Sequence, residues 1–124
     1  MDFWYQAIVE QAAEAIVLAD CDGTIRIWNR SAERLFGYPA EEALGKNLDL
    51  IIPERFRAAH WAGFGRAIDA GETRYAGRVM RTRSVHKDGH KLYVDLSFGV
   101  VRGRDGAVAG AFAVGRESPA SGQA

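Results

Sequence analysis

One histidine stands out among the residues that could do chemistry. His60 follows Pro53 in a segment whose apolar residues recur at helical spacing, which predicts a helix over residues 53–70 that stops at Gly71. A neutral imidazole is a common metal ligand, and a rigid helix with apolar neighbours can hold it in place. The alternative is a helix histidine that only packs. The sequence therefore offers His60 as a candidate metal ligand.

Other reactive groups are sparse. The chain has no nucleophile–base pair, carboxylate dyad or phosphate-binding glycine loop, so no catalysis is assigned and an enzyme is not expected. The one cysteine, Cys21, excludes an internal disulfide and a cysteine-based metal cluster. His86 and His90 flank a predicted turn and are expected to be exposed.

Length and charge limit the classes of function that are compatible with the sequence. The 124 residues suit one domain. Sixteen Lys and Arg residues balance sixteen Asp and Glu residues, which argues against a domain that mainly grips nucleic acid or an anionic membrane. No apolar stretch approaches a membrane span, and the start does not resemble a signal peptide. We expect a cytoplasmic protein.

The first half of the sequence alternates strands with helices. Residues 3–13 predict an amphipathic helix whose heavy aromatic end packs on its own domain or on a second subunit. Two β-rich runs, 15–20 and 24–28, surround an Asp22-Gly23 turn and predict a hairpin. Ser31 is a candidate cap for a helix that ends at Gly37, and Pro39 begins a short helix.

The second half predicts strands after the long helix. Residues 73–85 form an extended segment, 91–102 alternate apolar and polar, and 108–115 form the last strand. This order predicts an α+β fold, an antiparallel sheet with helices on one face. The division is an N-terminal helix at 1–13, one domain at 14–117, and a flexible tail or linker at 118–124.

Several sequence blocks, in this order, resemble the PAS (S-box) sensor domain family over about residues 5–117. They are ADCDGTIRIWN (19–29), AERLFGY (32–38), EEALGK (41–46), IIPE (51–54), HKDG (86–89) and GAFAVGR (110–116). The resemblance implies a five-stranded antiparallel sheet of order 2-1-5-4-3 whose helices enclose a small-molecule pocket. It also implies a signal-input module that serves a separate output domain such as a kinase or a cyclic-dinucleotide enzyme.

The segment from Pro53 to His60, and its spacing to Gly89, resembles the haem-binding PAS domains of oxygen-sensor kinases and direct-oxygen-sensor phosphodiesterases. By this resemblance His60 is the proximal iron ligand of haem b. The remaining residues that it implies are Arg66 and Arg74 beside the haem propionates, and Tyr75, Leu96 and Phe98 as an apolar ceiling over the bound gas.

The distal position departs from both types of sensor. Met80 stands where the kinases have an oxygen-binding Arg, and Arg78 stands where the phosphodiesterases have a ligating Met. Met80 as distal ligand is favoured, with Arg78 as donor to bound O2 or NO as the alternative. With neither residue, an apolar pocket favours CO or NO.

Two other interpretations stay open. The domain could be a haem-free PAS dimerisation or interaction module with an empty or metabolite-filled pocket, acting as a homodimer through residues 3–13. Non-covalent flavin is a weaker alternative. A flavin–thiol photocycle is disfavoured, because Cys21 lies outside the motif that the light-sensing branch requires.

Overall fold

The fold is described by a computed structural model, which covers residues 2–119. The strands are β1 (Ala15–Asp20), β2 (Ile25–Trp28), β3 (Met80–Val85), β4 (Lys91–Arg102) and β5 (Val108–Glu117). The helices are α1 (Asp2–Gln11), α2 (Arg30–Phe36), α3 (Ala40–Ala43) and α4 (Arg57–Ala70). Two short 3-10 turns, Leu48–Ile51 and Glu54–Phe56, lead into α4. None of the helices within residues 2–119 is long and apolar enough to cross a membrane.

The strands form one antiparallel sheet of order β2-β1-β5-β4-β3. This confirms the α+β class and the strand order that the PAS resemblance implies. The longest pairing joins β4 to β5, and β3 lies at the edge of the sheet. The edge position of β3 matters below, because its residues border the candidate site.

The core lies on one face of the sheet, as the alternation in the sequence predicts. Ala15, Val17 and Ala19 of β1 are buried there, and so are Leu92, Val94 and Leu96 of β4. Successive side chains of a strand point to opposite faces, so the buried residues are every second residue of each strand, and both sets lie on the same face of the sheet. The residues that α2, α3 and β2 add to the core are Ile25, Trp28, Ala32, Phe36 and Ala43.

Asn29 joins three elements through its buried side chain. Its Oδ1 accepts hydrogen bonds from the N–H groups of Ile16 (2.9 Å) and Ala32 (3.0 Å). Its Nδ2 donates to the carbonyls of Val9 (2.7 Å) and Glu14 (3.0 Å). All four bonding positions of the amide are therefore used, between the end of α1, the start of β1 and the first turn of α2.

The prediction that Ser31 caps α2 is wrong, because Asn29 is the N-cap. Ser31 lies inside the first turn, where its hydroxyl donates to the carbonyl of Ala12 at 2.6 Å. Gly37 ends the helix as predicted, with the positive φ of 86° that a left-handed cap requires.

The extended segment predicted over 73–85 is shorter than expected. Only its last part is strand, because consecutive turns occupy residues 74–77. The N–H of Ala76 donates to Thr73 and that of Arg78 donates to Tyr75, while Gly77 takes a positive φ of 76°. Arg78 therefore precedes β3, and strand alternation does not put it on a common face with Met80.

The domain includes Ser118, which the sequence assigned to the tail. Ser118 is buried, and its N–H donates to the carbonyl of Tyr93 at 2.7 Å. Because β5 continues to Glu117, this residue packs against the neighbouring strand. Residues 120–124 of the predicted tail lie outside the described residues.

We expect Asn29→Ala to lower the free energy of unfolding by about 2–3 kcal/mol, since it removes a helix cap and leaves buried backbone groups unpaired. The matched control is Asn47→Ala, which removes an exposed cap bond to Asp49 (2.8 Å) and should cost about 1 kcal/mol or less. Urea denaturation of both variants measures the difference. Equal losses of unfolding free energy in the two variants would show that the buried amide of Asn29 contributes no more stability than an exposed cap.

Candidate functional site

Two adjoining cavities lie between α4 and the sheet. The smaller has a volume of about 130 Å³, and the larger, which opens between α4, the 72–75 loop and the central strands, about 640 Å³. Ligand pockets are usually about 300–1,000 Å³, so only the larger is of the size of a cofactor site. The residues that line both cavities are His60, Phe64, Phe98, Ala111 and Phe112.

His60 is a neutral, half-buried imidazole at the boundary of the two cavities. Its ring meets those of Trp61 (4.7 Å between centroids) and Phe64 (6.0 Å). Its Nδ1 is buried without a hydrogen-bond partner among residues 2–119. Burial lowers the pKa of His60 below its ordinary value of 6.5, and the Asp49 carboxylate opposes this only in part. The ring is therefore uncharged at neutral pH and carries a free lone pair.

Polar contacts at its first turns hold α4 in place. The indole N–H of Trp61 donates to Asp49 Oδ1 at 2.7 Å, and Arg57 Nε donates to the carbonyl of Ile52 at 3.0 Å. The ring of Trp61 also lies against Gly23 in the β1–β2 turn, where a Cβ would come within 2.3 Å of it. None of the α4 residues is fully buried. The helix is thus fixed by contacts beside His60 and not by a filled interface beneath it.

Most of the predicted site residues border the cavities. Arg66, Arg74 and Tyr75 line the larger cavity, and Leu96 lines the smaller. Both arginines are exposed at the surface. Arg74 donates to the hydroxyl of Tyr75 and its guanidinium lies 4.8 Å from the centre of that ring. Phe98, which lines both cavities, completes an apolar wall on the sheet side.

The two candidate distal residues lie outside both cavity linings. Arg78 is exposed in the loop before β3. Met80 is half-buried at the first position of β3, paired in register with Leu96. It shares a strand face with Thr82 and Ser84, which line the smaller cavity. Met80 is thus at the edge of the site, and the structure brings neither residue to His60.

The sequence missed other residues of the site. Phe64 lies one helical turn after His60, and this i+4 spacing was a usable signal. Arg83 left no such signal, because alternation along β3 puts it on the strand face opposite to Thr82 and Ser84. Its Nε is buried without a hydrogen-bond partner among residues 2–119, and its guanidinium lies about 6 Å from the rings of Phe56 and Tyr93. Arg83 nevertheless contributes to the lining of the smaller cavity.

Comparison with known proteins identifies the fold family. Residues 5–117 match the family described as PAS fold. The chain belongs to the PAS family. A solved PAS domain from Colwellia psychrerythraea superposes with a TM-score of 0.80 at 23% identity, covering 94% of this chain and 95% of that one. At that identity the likeness shows the fold alone.

Two curated relatives contain a similar PAS segment. The oxygen sensor protein DosP of Escherichia coli is 30% identical over 93 residues, which cover 75% of this chain and 12% of that protein. The sensor protein FixL of Bradyrhizobium diazoefficiens is 28% identical over 94 residues, covering 76% of this chain and 19% of that protein. The chain thus spans between an eighth and a fifth of these relatives. As a PAS domain it is a signal-input module, a class that is typically not catalytic.

The low pKa of His60 predicts a pH dependence of stability. The unfolded chain takes up a proton near pH 6.5 and the folded chain only at lower pH, so stability is fully present above pH 6.5 and is lost as the pH falls below it. We expect His60→Gln to flatten this loss in urea denaturation between pH 7.5 and 5.5, while His90→Gln keeps it. An NMR titration midpoint of His60 at or above 6.5 would contradict the argument.

Proposed function

We propose that this PAS domain binds haem b through His60, senses a diatomic gas or a redox state, and relays the signal to a separate output domain or partner. One observation carries the proposal. His60 is held neutral by burial, its Nδ1 has no partner among residues 2–119, and it faces a cavity of cofactor size. A buried unpaired polar atom costs about 1–3 kcal/mol, so a ligand that uses this imidazole would remove a real penalty.

The surroundings of His60 fit a haem. Haem, when bound, supplies an iron atom that takes up O2, CO or NO or changes its oxidation state. The cavity lining offers apolar walls from Phe64 and Phe98 for the flat ring system. Arg66 and Arg74 lie at the exposed side of the larger cavity, where charge-assisted hydrogen bonds to two carboxylates suit them. The resemblance to haem-binding PAS domains, and a relative named an oxygen sensor, support the same assignment.

The walls of the smaller cavity bear on the choice of gas. Leu96 is apolar, and the hydroxyls of Thr82 and Ser84 already donate to backbone carbonyls. With Met80 and Arg78 outside the lining, this pocket favours CO or NO, since bound O2 needs a hydrogen-bond donor for its partial negative charge.

The signal of such a sensor would be transmitted through the sheet. The site meets the central strands β4 and β5 at Phe98 and Ala111, and these strands share the longest pairing in the molecule. A shift of α4 on ligand binding would bias the strands on which it lies. Because the relatives extend far beyond the matched segment, we propose a kinase or cyclic-dinucleotide enzyme as the class of output domain.

Haem binding through His60 is tested by spectroscopy. The purified chain reconstituted with haemin should give one sharp Soret band at a ratio of one haem per chain. His60→Ala should broaden or abolish the band because it removes the iron ligand. His90→Ala, a histidine in the exposed β3–β4 turn, is the matched control and should keep it. Colourless protein, or a band unchanged by His60→Ala, would overturn the proposal.

A second candidate function rests on a different feature, the apolar side of α1. Phe3, Trp4, Tyr5 and Ile8 are each at least 60% exposed. Large exposed apolar patches commonly mark interaction surfaces. This favours the alternative that the domain acts as a haem-free dimerisation module with an empty or metabolite-filled pocket. Dimerisation through α1 is by itself compatible with a ligand at His60, since no α1 residue lines either cavity.

If α1 forms a homodimer contact, the triple variant Phe3→Ser, Trp4→Ser, Ile8→Ser should lower the mass in solution from dimer to monomer, because it removes most of the apolar area that would be buried. Val79→Ser is the matched control, since Val79 is 69% exposed but lies outside α1. Light scattering after size exclusion measures the mass. An unaltered dimer in the triple variant would exclude α1 as the contact.

A further inference from the structure

The turn between β3 and β4 brings together three side chains that suit a metal ion. His86, Asp88 and His90 each offer a ligand atom within 4.8 Å of the others. The two imidazole rings are stacked, with centroids 4.4 Å apart and planes 16° apart. This cluster lies apart from the cavity linings and is not used by the proposed sensor site.

The geometry leaves an electrostatic mismatch that a cation would resolve. The N–H of Asp88 donates to His86 Nδ1 at 3.1 Å, so this nitrogen carries a lone pair. Asp88 Oδ1 lies only 3.2 Å from the same nitrogen, so two acceptors face each other. Two ligands of a tetrahedral zinc ion with bonds of about 2.0–2.2 Å are about 3.3 Å apart. The observed separation is therefore close to that of two metal ligands.

His90 completes the set. Its Nδ1 contacts the same Asp88 oxygen, and its own N–H donates to that carboxylate at 3.0 Å. The His90 side chain is 53% exposed, so it can turn to open its close contact with Asp88 and admit an ion.

The turn is anchored, so the ligands are partly preorganised. The His86 ring packs where Gly37 has no side chain, since a Cβ there would come within 2.4 Å of it. The N–H of Lys87 donates to the carbonyl of Phe36 at 2.9 Å. The Lys87 ammonium, a cation of the same turn, is paired with Glu42 at 2.8 Å and so does not pair with Asp88. A set of two imidazoles and one carboxylate is typical of sites for divalent transition metals.

We propose that His86, Asp88 and His90 bind a divalent transition-metal ion such as Zn²⁺, with water completing its coordination. The ion would join the ends of β3 and β4 and lie beside the C-terminal end of α2. The proposal does not depend on haem binding, because His60 contributes no ligand.

Isothermal titration of the chelator-treated chain with Zn²⁺, after removal of any histidine tag, tests the site. We expect one ion per chain and at least about tenfold weaker binding in His90→Ala and in Asp88→Asn. His60→Ala is the matched control and should bind as the wild type does. The titration is repeated on haemin-loaded protein, so that failure of the haem proposal and failure of this one are separate results.

A second readout locates the ion even if a variant is unstable. In NMR spectra of the wild type, Zn²⁺ should shift the ring signals of His86 and His90 and leave those of His60 in place. Absence of binding overturns the proposal. Undiminished binding in His90→Ala, or binding that is lost only in His60→Ala, overturns it too, since the ion would then lie elsewhere.

Discussion

The buried amide of Asn29 is the constraint on which the rest of this domain depends. It satisfies backbone groups of α1, β1 and α2 at once, and a buried polar side chain is favourable only when its bonding positions are filled. Because it fixes the start of α2, it also fixes Phe36 at the other end of that short helix. Phe36 lines the smaller cavity, and its carbonyl accepts from Lys87 in the β3–β4 turn. Both candidate sites are therefore connected to one side chain.

The helix α4 is packed less tightly than the rest of the domain. The inner face of β1 and the first half of β4 are packed against α2 and α3, whereas α4 has no buried residue and covers unfilled space. Unfilled apolar space costs stability in proportion to its volume. The domain therefore concentrates its packing beside α2 and α3 and leaves space between α4 and the sheet, which a ligand could occupy only at a cost in stability to the empty domain. The neutral His60 is placed on the wall of that space.

Much of this fold could be predicted from the sequence, and the failures have physical causes. The alternation in β1 and β4 and the glycines that end α2 and α4 are local signals. The cap of α2 was misassigned because Asn29 and Ser31 are both good capping residues, and only the surrounding carbonyls distinguish them. The turns of residues 74–77 fall in a segment that the sequence predicts to be extended, although Gly77 allows the chain to reverse. His60 was a candidate both from its place on a predicted helix and from the resemblance, whereas the position of Arg83 and the stacking of His86 on His90 depend on tertiary packing, which spacing does not encode.

The contact between Trp61 and Gly23 fixes the orientation of α4 about its own axis. The indole is wedged against a backbone that carries no side chain and is tied to Asp49, so the helix cannot turn about its axis without displacing the β1–β2 turn. The direction in which the neighbouring imidazole points therefore depends on the β1–β2 turn, whose residue Gly23 lines neither cavity. The turn thus restrains the rotation of α4, and its sequence would be selected together with that of the helix.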